Sequence, residues 1–270
     1  MNKRVILIAA VAVIVLGGVT LPRVIKYVER QRIIAEQNNI VLPPPELPVS
    51  SSSSSPVIAS SASASSVASV PTSVPTQSVR AAVNWDVPFT SQAPLANWNE
   101  LHQEACEEAS VLMVMRYFQG KPIGSPEQAN TDIEKLVADN EALGFPVDDT
   151  AAEIIVLLRD QDPSLTATLL KNPTEDSLKK VLSEGKLVIV PAAGQQLGNP
   201  YFTAPGPRYH MLMLRGYTDS GYVITNDPGT KRGEGYVYRW DVLLNAIHDW
   251  NGGEVESGEK VVVVVSGRNE

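Results

Sequence analysis

What this chain can fold into is constrained most by residues 41–80, a segment dominated by serine, proline, alanine and valine. It contains runs such as "SSSSS" and "PTSVPTQSV" and hardly any charge. Such a segment lacks the large apolar side chains that would offset the entropy lost when a chain becomes ordered. We therefore predict a disordered stalk here, and a packed domain only after it, in residues 81–270.

The segment before the stalk, residues 1–40, contains an uncharged apolar run from Val5 to Leu21. This run is about long enough to span a bilayer if flanking side chains snorkel to the surface. A cleaved signal peptide is the alternative, but "GGVTLP" at the end of the run is a poor match to the small-residue pattern that precedes cleavage. We predict an uncleaved, single-pass membrane anchor whose helix extends beyond the membrane.

The flanking charges and the stalk favour opposite orientations in the membrane. The positive-inside rule, applied to the two ends of the run, places the C-terminal side in the cytoplasm. The residues counted are Lys3 and Arg4 before the run, and Arg23, Lys26, Arg30 and Arg32 after it. A Ser/Pro stalk, in contrast, is typical of domains held away from a membrane or a cell wall. We expect an extracytoplasmic domain.

The composition argues against several classes of function. The formal net charge is −8 and no basic stripe is present, so nucleic acid is not an expected partner. One cysteine excludes an intramolecular disulfide, and with only three histidines a zinc site is not expected. The sequence predicts neither a metal nor an organic cofactor.

Residues 81–270 change from a helical to a β pattern midway. Apolar residues at helical spacing follow Cys106, and helix-capping patterns begin at Ser125, Thr150 and Thr174. Five short β-rich segments come later, and one helical stretch, "WDVLLNAIHDW", interrupts them. The segments are "KLVIVPA", "YHMLMLRGYT", "GYVITNDP", "GEGYVYRW" and "KVVVVVSG". Helices first and antiparallel strands second predict an α+β domain.

Cys106 stands where the first helical pattern begins, in "QEACEEASV". The positive end of the helix dipole favours the thiolate, which is the nucleophilic form of cysteine. A free cysteine is also among the most buried residue types, so a packing role is the alternative. Glu107 and Glu108 would oppose a thiolate if they pointed at it, but a residue one position along a helix is expected to turn away.

A nucleophilic thiol needs a base that takes its proton and later returns it to the leaving group. His210 is the candidate, because it stands in the otherwise apolar strand "YHMLMLRGY". A core or edge histidine paired with the backbone is the alternative.

The strand that follows supplies a partner for this histidine. A hairpin turning in "TDSG" pairs Tyr217 with Tyr222 and Leu212 with Asp227. Because His210 shares a face with Leu212, Asp227 then lies one diagonal step away, within reach of a hydrogen bond to the imidazole. The argument fails if the turn is one residue longer. It predicts a triad in the chain order cysteine, histidine, aspartate, although "NDPG" is also an ordinary turn sequence.

Two glutamines are candidate donors to the oxyanion of a tetrahedral intermediate, Gln92 in "FTSQAP" and Gln103. The sequence by itself does not separate them. The long Gly/Pro-rich loop "GQQLGNPYFTAPGPR" before His210 either borders a substrate groove or is an ordinary surface loop. Asp148-Asp149 is interpreted as a helix cap.

The segments "VPFTSQAPLANWNELHQEACEEASVLMVMRYF" and "YHMLMLRGYTDSGYVITNDPGT" resemble the peptidase C-39-like domains, papain-like relatives of the peptidases that process double-glycine leaders of bacteriocins. The resemblance covers roughly residues 84–265. It implies a papain-like fold in which Cys106 is the nucleophile, His210 the base, Asp227 the acid that orients the imidazole, and Gln92 the oxyanion donor.

The chain departs from the transporter-fused members of that group. Those peptidases have Asp before and Gly after the nucleophile, where this chain has Ala105 and Glu107, and no ATP-binding cassette is present. Cleavage after paired glycines and coupling to export are therefore not implied. The resemblance is to a stand-alone, anchored subtype.

We expect a membrane-anchored cysteine peptidase that acts on a peptide or protein substrate. An acyl transferase or amidase acting on cell-wall peptides with the same triad is a second hypothesis. The third is a catalytically silent domain that binds peptide or wall material, a hypothesis favoured by the two acids beside the thiol.

Overall fold

The computed structural model describes residues 80–267. The predicted anchor, nearly all of the predicted stalk and the last three residues lie outside this range, so those predictions are not tested. Within residues 80–267, none of the helices has the length and apolar character needed to cross a bilayer.

The described residues form six α-helices and seven β-strands. The helices are α1 (Glu100–Gln103), α2 (Cys106–Phe118), α3 (Pro126–Leu143), α4 (Ala151–Gln161), α5 (Glu175–Ser183) and α6 (Trp240–Ala246). The strands are β1 (Val83–Asn84), β2 (Leu165–Lys171), β3 (Leu187–Ala193), β4 (Tyr209–Tyr217), β5 (Tyr222–Asn226), β6 (Tyr236–Arg239) and β7 (Val261–Gly267). The predicted α+β layout is confirmed.

Helix ends follow the capping patterns of the sequence. The Ser125 side chain caps α3, which ends at Gly144 with φ of 82°. Thr150 and Glu153 form the predicted capping box at the start of α4. The side chain of Thr174 accepts a hydrogen bond from the backbone N–H of Ser177 at the start of α5. Local hydrogen bonds of this kind are encoded over four residues, so they can be predicted without tertiary information.

The strand β2 was not predicted from the sequence, and neither were the short elements β1 and α1. The strand β2 lies at one end of the sheet and pairs only with β7. Its buried positions, Leu165, Ala167 and Leu169, alternate with more exposed ones. This alternation is the available signal for a strand, but alanine and leucine are also strong helix formers, so the local pattern is ambiguous.

All strand pairs are antiparallel, in the order β2-β7-β3-β4-β5-β6. The short strand β1 pairs with the end of β4, where Gly216 and Tyr217 also pair with β5 on the other side. The pairing of β3 with β4 ends at Val188 and Leu214. Beyond this point, β1 pairs with β4 in place of β3.

Both faces of the sheet are covered, which explains why every residue of β3 and β4 is buried. One core lies between the sheet and α2, α3 and α4, and includes Met113, Ile133, Ile154, Leu157, Ile189, Met211 and Val263. The other lies against α5 and α6, and includes Leu178, Leu182, Val190, Leu212, Leu243 and Val262. Alternate residues of β4 thus enter different cores.

The turn between β4 and β5 is one residue longer than predicted. Tyr217 pairs with Val223, so the expected pairing of Tyr217 with Tyr222 is wrong. A bulge at Arg215 then shifts the register back, and Met213 pairs with Asn226. One step further along this register lie Leu212 and Asp227. Asp227 therefore lies near the predicted position only because the bulge compensates for the longer turn. The sequence pattern did not indicate this bulge.

The bulge is stabilised by the Arg215 side chain. Its Nε donates to the carbonyl oxygen of Trp85 at 2.7 Å, and Nη1 donates to Val87 O and to Asn226 Oδ1, both at 3.3 Å. A buried guanidinium needs such acceptors. The extended segment at the start of the domain is thereby fixed to the hairpin that carries Asp227.

We predict that Gly216→Ala destabilises the domain by roughly 2–3 kcal/mol, because an added methyl group has no space beside β1. A Cβ at this position would lie 2.1 Å from Val83 O and 2.8 Å from Asn84 Cα. Urea unfolding measures the effect. Gly267→Ala is the matched control, since its nearest contact would be an ordinary 3.7 Å to Phe118 Cδ1. Equal unfolding midpoints for the two variants would contradict the close packing of β1 on β4.

Candidate active site

Cys106 is the first residue of α2 and is 6% exposed. Its Sγ accepts a hydrogen bond from the backbone N–H of Met211 at 3.3 Å. One turn later, Ser110 Oγ donates to the carbonyl oxygen of the same Met211 at 3.3 Å. The backbone N–H and the backbone C=O of Met211 are thus both bonded to the start of α2. These two bonds fix the thiol beside Met211, the residue that follows His210.

His210 and Asp227 form a buried pair. His210 Nε2 lies 2.8 Å from Asp227 Oδ1, and the two side chains are 2% and 0% exposed. Burial by itself raises the pKa of Asp227, but the charge of His210 and three hydrogen bonds outweigh it and lower that pKa. The three donors are His210, Tyr238 and the backbone N–H of Gly229. The structure therefore holds an ionised carboxylate against the imidazole.

Two further side chains hold the second oxygen of this carboxylate. Tyr238 Oη donates to Asp227 Oδ2 at 2.6 Å, and Asn199 Nδ2 donates to the same oxygen at 3.0 Å. Asn199 Nδ2 also donates to Tyr238 Oη at 2.8 Å. Neither residue was predicted from the sequence. For Tyr238 the inward position in β6 was an available signal, whereas Asn199 lies in an irregular loop without a periodic pattern.

The long loop before β4 covers the imidazole. The ring of Phe202 meets the ring of His210 edge-on, with centroids 5.2 Å apart. Gly229 lies against both rings, since a Cβ there would be 2.9 Å from His210 Cε1 and 2.8 Å from Phe202 Cε1. The loop that the sequence left as a groove border or a surface loop is therefore part of the site.

Glu107 does not turn away from the thiol, so that expectation is wrong. The Cys106 thiol donates to Glu107 Oε2 at 2.9 Å, and Glu107 is 1% exposed. The first turn of α2 is buried on all sides, so the Glu107 side chain has no route to solvent. Burial, followed by the charge and the hydrogen bond of Glu107, raises the pKa of Cys106 well above its ordinary value. The N–H of Met211 opposes this effect only in part.

More buried acids surround this contact. Glu108 is 4% exposed, and Asp149, in the loop before α4, is 0% exposed. Asn140 on α3 donates to Glu108 Oε1 at 3.3 Å and to Asp149 Oδ2 at 2.7 Å. Thr150, not Asp149, is the cap of α4, so the interpretation of Asp148-Asp149 as a helix cap is wrong. The pattern "DDT" gave no indication that one of its acids is buried near the thiol.

Gln92 lies in the chain just before α1. Its amide Nε2 donates to the carbonyl oxygens of His102 and Gln103, each at 2.9 Å, while Oε1 is buried and has no hydrogen-bond partner. Its backbone N–H donates to Pro228 O at 3.0 Å. Gln92 therefore connects the segment before Cys106 with the turn after Asp227. The side chain of Gln103 instead donates to Trp98 O at 3.0 Å and is exposed.

A metal centre is not part of this arrangement. In the described part of the chain, His, Cys, Asp and Glu side chains do not form any group of three or more that could hold a metal ion.

A buried cysteine on a helix start, packed beside a strand that carries a histidine whose aspartate partner follows the next strand, is the layout of the papain-like class of cysteine peptidases. The family model described as "Peptidase_C39 like family" matches residues 85–252. The chain belongs to this Peptidase_C39-like family, whose members are cysteine peptidases. The resemblance drawn from the sequence is thereby confirmed.

Solved structures that are similar to the chain include two bacterial proteins. One, described as a C39-like peptidase from Bacillus anthracis, is 15% identical, with 70% of this chain and 99% of that chain covered and a TM-score of 0.44. The other, a mutant fragment of prointerpain A from Prevotella intermedia, is 14% identical, with 69% and 72% covered and a TM-score of 0.43. A search of curated proteins found no match.

We predict that Tyr238→Phe destabilises the domain by about 2 kcal/mol at neutral pH, because it removes a hydrogen bond to a charged group. Asp227 has a lowered pKa in the folded protein. Its contribution to stability is present above the unfolded pKa of about 3.9 and is lost as the pH falls through the lowered value. The loss caused by the variant should therefore shrink in strong acid.

Urea unfolding as a function of pH measures this difference. Tyr222→Phe is the matched control, since Tyr222 is 39% exposed. A destabilisation by Tyr238→Phe that stays the same from pH 7 into strong acid, below the pH at which Asp227 takes up its proton, would mean that the hydroxyl does not act through the Asp227 carboxylate.

Proposed function

We propose that this chain is a cysteine peptidase that hydrolyses peptide bonds with Cys106 as nucleophile, His210 as general base and acid, and Asp227 as the orienting group. The observation that carries the proposal is the buried His210–Asp227 contact of 2.8 Å. It lies beside the thiol, because Met211, the residue after His210, donates its backbone N–H to the Cys106 sulfur. Peptides or proteins are the corresponding substrates.

The hydrogen bond to Asp227 decides which imidazole nitrogen can react. Because Nε2 is held by the carboxylate, Nδ1 is the nitrogen left to exchange a proton with Cys106. The Asn199 and Tyr238 side chains keep the carboxylate in position, and the Phe202 ring covers the imidazole edge-on. These three side chains are positioning residues, because they act through His210 and Asp227.

The reaction follows from these positions. The thiolate of Cys106 attacks the peptide carbonyl carbon, and the carbonyl π electrons move to the oxygen. As the tetrahedral intermediate collapses, the C–N bond breaks and His210 transfers its proton to the leaving amine. His210 then takes a proton from water, whose oxygen attacks the thioester. The C–S bond breaks, the acid product leaves, and the thiolate and imidazolium are restored.

The oxyanion needs donors, and we assign this role to the Gln92 amide and the backbone N–H of Cys106. The Cys106 N–H belongs to the first turn of α2, where N–H groups have no acceptor within the helix. Gln92 is close to this turn, because its amide donates to His102 and Gln103. One of these two hydrogen bonds must be exchanged for a bond to the substrate oxygen during the reaction.

A catalytically silent, peptide-binding domain is the second candidate. It is favoured by the contact between the Cys106 thiol and the Glu107 carboxyl group, which holds the thiol in its neutral form. Acyl transfer to an amine would use the same residues as hydrolysis and differs only in the group that attacks the thioester.

Reaction with a peptidyl epoxide, followed by mass spectrometry, separates the enzymatic functions from the silent domain. We expect covalent modification of Cys106 in the wild type and none in Cys106→Ala or His210→Ala. Modification that is equally fast in wild type and His210→Ala would contradict the triad. Product analysis with and without an added amine then distinguishes hydrolysis from acyl transfer.

We predict that Gln92→Ala lowers kcat by about 10²–10³-fold, the usual loss on removal of one oxyanion donor. Gln103→Ala is the matched control, because the Gln103 side chain is exposed and bonds only Trp98 O. Steady-state kinetics with a fluorogenic peptide measures both. A loss confined to Gln103→Ala would reassign the oxyanion donor.

We also propose that the peptidase is held outside the cell membrane by residues 1–40, with residues 41–80 as a stalk. The apolar run from Val5 to Leu21 and the Ser/Pro composition support this arrangement. Protease added to intact cells should remove the domain from a membrane-bound N-terminal fragment. Protection of the domain until the membrane is permeabilised would establish the opposite orientation.

A further inference from the structure

Glu107 is buried, and within residues 80–267 the side chain that hydrogen-bonds it is that of Cys106, the proposed nucleophile. Its Oε2 lies 2.9 Å from Cys106 Sγ, while its Oε1 is buried and has no hydrogen-bond partner. An ionised carboxylate in such a place would lose most of its hydration, and the thiol and the Glu107 backbone N–H would compensate for little of that loss. A neutral carboxyl group tolerates the same place far better, because its unpartnered oxygen carries no full charge.

The groups that face Glu107 add to this cost. They are Cys106 and Glu108 on α2, Asp149 from the loop before α4, and Tyr209 on β4. Lysine and arginine form no ion pair with Glu107 or Glu108 within the described residues. Glu108 and Asp149 each accept a hydrogen bond from Asn140, whereas Glu107 accepts one from its own backbone N–H and one from the thiol, a weak donor. A proton shared by these acids is therefore best placed on Glu107.

The pKa directions agree with this geometry. Burial, followed by the charges of Glu108 and Asp149, raises the pKa of Glu107 well above its ordinary value. Burial also raises the pKa of Glu108 to about 7. The cluster thus retains protons at pH values where exposed carboxyl groups are ionised.

We propose that Glu107 is a catalytic residue, a protonated carboxylic acid whose O–H donates to the thiolate of Cys106 in the active form of the enzyme. This inference rests on the proposed cysteine-peptidase function and extends it to a fourth group at the sulfur. With the thiol neutral, the same contact runs in the other direction, and the S–H of Cys106 donates to Glu107 Oε2.

The proton balance is closed throughout the cycle. In the active form the Cys106 proton is on His210, and Glu107 keeps its own proton and donates it as a hydrogen bond to the thiolate. When the C–S bond forms, the sulfur loses its charge and the Glu107 O–H remains intact. When the thioester is hydrolysed, the sulfur regains its charge and the hydrogen bond strengthens again. Glu107 therefore transfers no proton to substrate or product.

A donor to the thiolate increases the rate despite making the sulfur less nucleophilic. Burial makes the thiolate of Cys106 scarce, so each unit by which a donor lowers the thiol pKa increases the thiolate fraction about tenfold. For the same change in pKa, the intrinsic nucleophilicity of the thiolate falls by a smaller factor, because its Brønsted exponent is only about 0.4–0.5. The net effect favours the donor until the thiol pKa reaches the ambient pH.

This arrangement predicts an unusual pH dependence. A raised carboxyl pKa means that the acid form persists to higher pH and is lost as the pH rises through the folded value. The ionised Glu107 then repels the thiolate at 2.9 Å, and the proton on His210 returns to sulfur. Thiol reactivity of the wild type should therefore rise, reach a maximum and fall with increasing pH, whereas an ordinary thiol becomes steadily more reactive.

The test measures iodoacetamide alkylation of Cys106 from acid to alkaline pH in wild type, Glu107→Gln and Glu107→Leu. Glutamine keeps a neutral donor that cannot ionise, so Glu107→Gln should stay within about threefold of the wild type in mild acid. It should exceed the wild type by about tenfold or more in alkali, since one pKa unit is a factor of ten. Leucine has no donor, so Glu107→Leu should be about tenfold slower than the wild type in mild acid. Glu256→Gln, an exposed acid, is the control.

Two outcomes would overturn the proposal. If both substitutions at Glu107 increase alkylation at every pH, the carboxyl group is ionised and only repels the thiolate. If wild type and Glu107→Gln have parallel profiles, the Glu107 proton has no effect on the sulfur. Difference infrared spectroscopy adds a direct measurement, because a protonated carboxyl band at neutral pH should be present in the wild type and absent from Glu107→Gln. A missing wild-type band would also overturn the proposal.

Alkylation does not require a peptide substrate, so the two proposals can fail separately. A bell-shaped alkylation profile without any peptide hydrolysis would leave the role of Glu107 intact and contradict the peptidase function. Hydrolysis that depends on Cys106, together with an alkylation profile that Glu107→Gln does not change, would leave the peptidase function intact and contradict the role of Glu107.

Discussion

The two hydrogen bonds between Met211 and the start of α2 are the constraint on which the site depends. The N–H of Met211 bonds Cys106 Sγ, and its carbonyl oxygen accepts from Ser110 Oγ. A helix and a strand joined in this way cannot shift relative to each other without breaking both contacts, and β4 is itself buried on both faces. Because His210 is the preceding residue of β4, the same contacts fix the thiol relative to the imidazole. The rest of the fold, including the bulge at Arg215, brings Asp227 to this position.

Burial has opposite effects on the two halves of the site. Around Asp227, four donors compensate for the lost hydration, so the carboxylate remains ionised and its attraction to His210 is strengthened by the low polarity of the surroundings. Around Cys106, burial is not compensated in this way, and it raises the pKa of both the thiol and Glu107. One buried site thus contains a carboxyl group with a lowered pKa and another with a raised pKa, which matches the separation of roles that acid–base catalysis requires.

The residue after Cys106 distinguishes this chain from the transporter-fused members of the group that its sequence resembles. Those peptidases have glycine there, and this chain has Glu107, whose carboxyl group lies against the sulfur. The same position separates the two leading proposals, since an ionised Glu107 would silence the thiol and a protonated Glu107 would support it. Under the proposed function, the protonation state of this one side chain decides whether the thiol of Cys106 can react.

Local patterns in the sequence determined the α+β layout and the helix caps at Ser125, Thr150 and Thr174. These features depend on hydrogen bonds and side-chain periodicity over a few residues, which a sequence displays directly. The contact of His210 with Asp227 was also predicted, but from a hairpin register that is wrong, and it forms because the bulge at Arg215 compensates for the longer turn. Only the tertiary structure decided the rest. The strand β2, the bulge at Arg215, the contacts of Asn199 and Tyr238 with Asp227, and the direction of Glu107 all depend on segments far apart in the chain. The direction of Glu107 in particular was fixed by packing, because a helix start buried on all sides leaves a side chain no solvent to turn to.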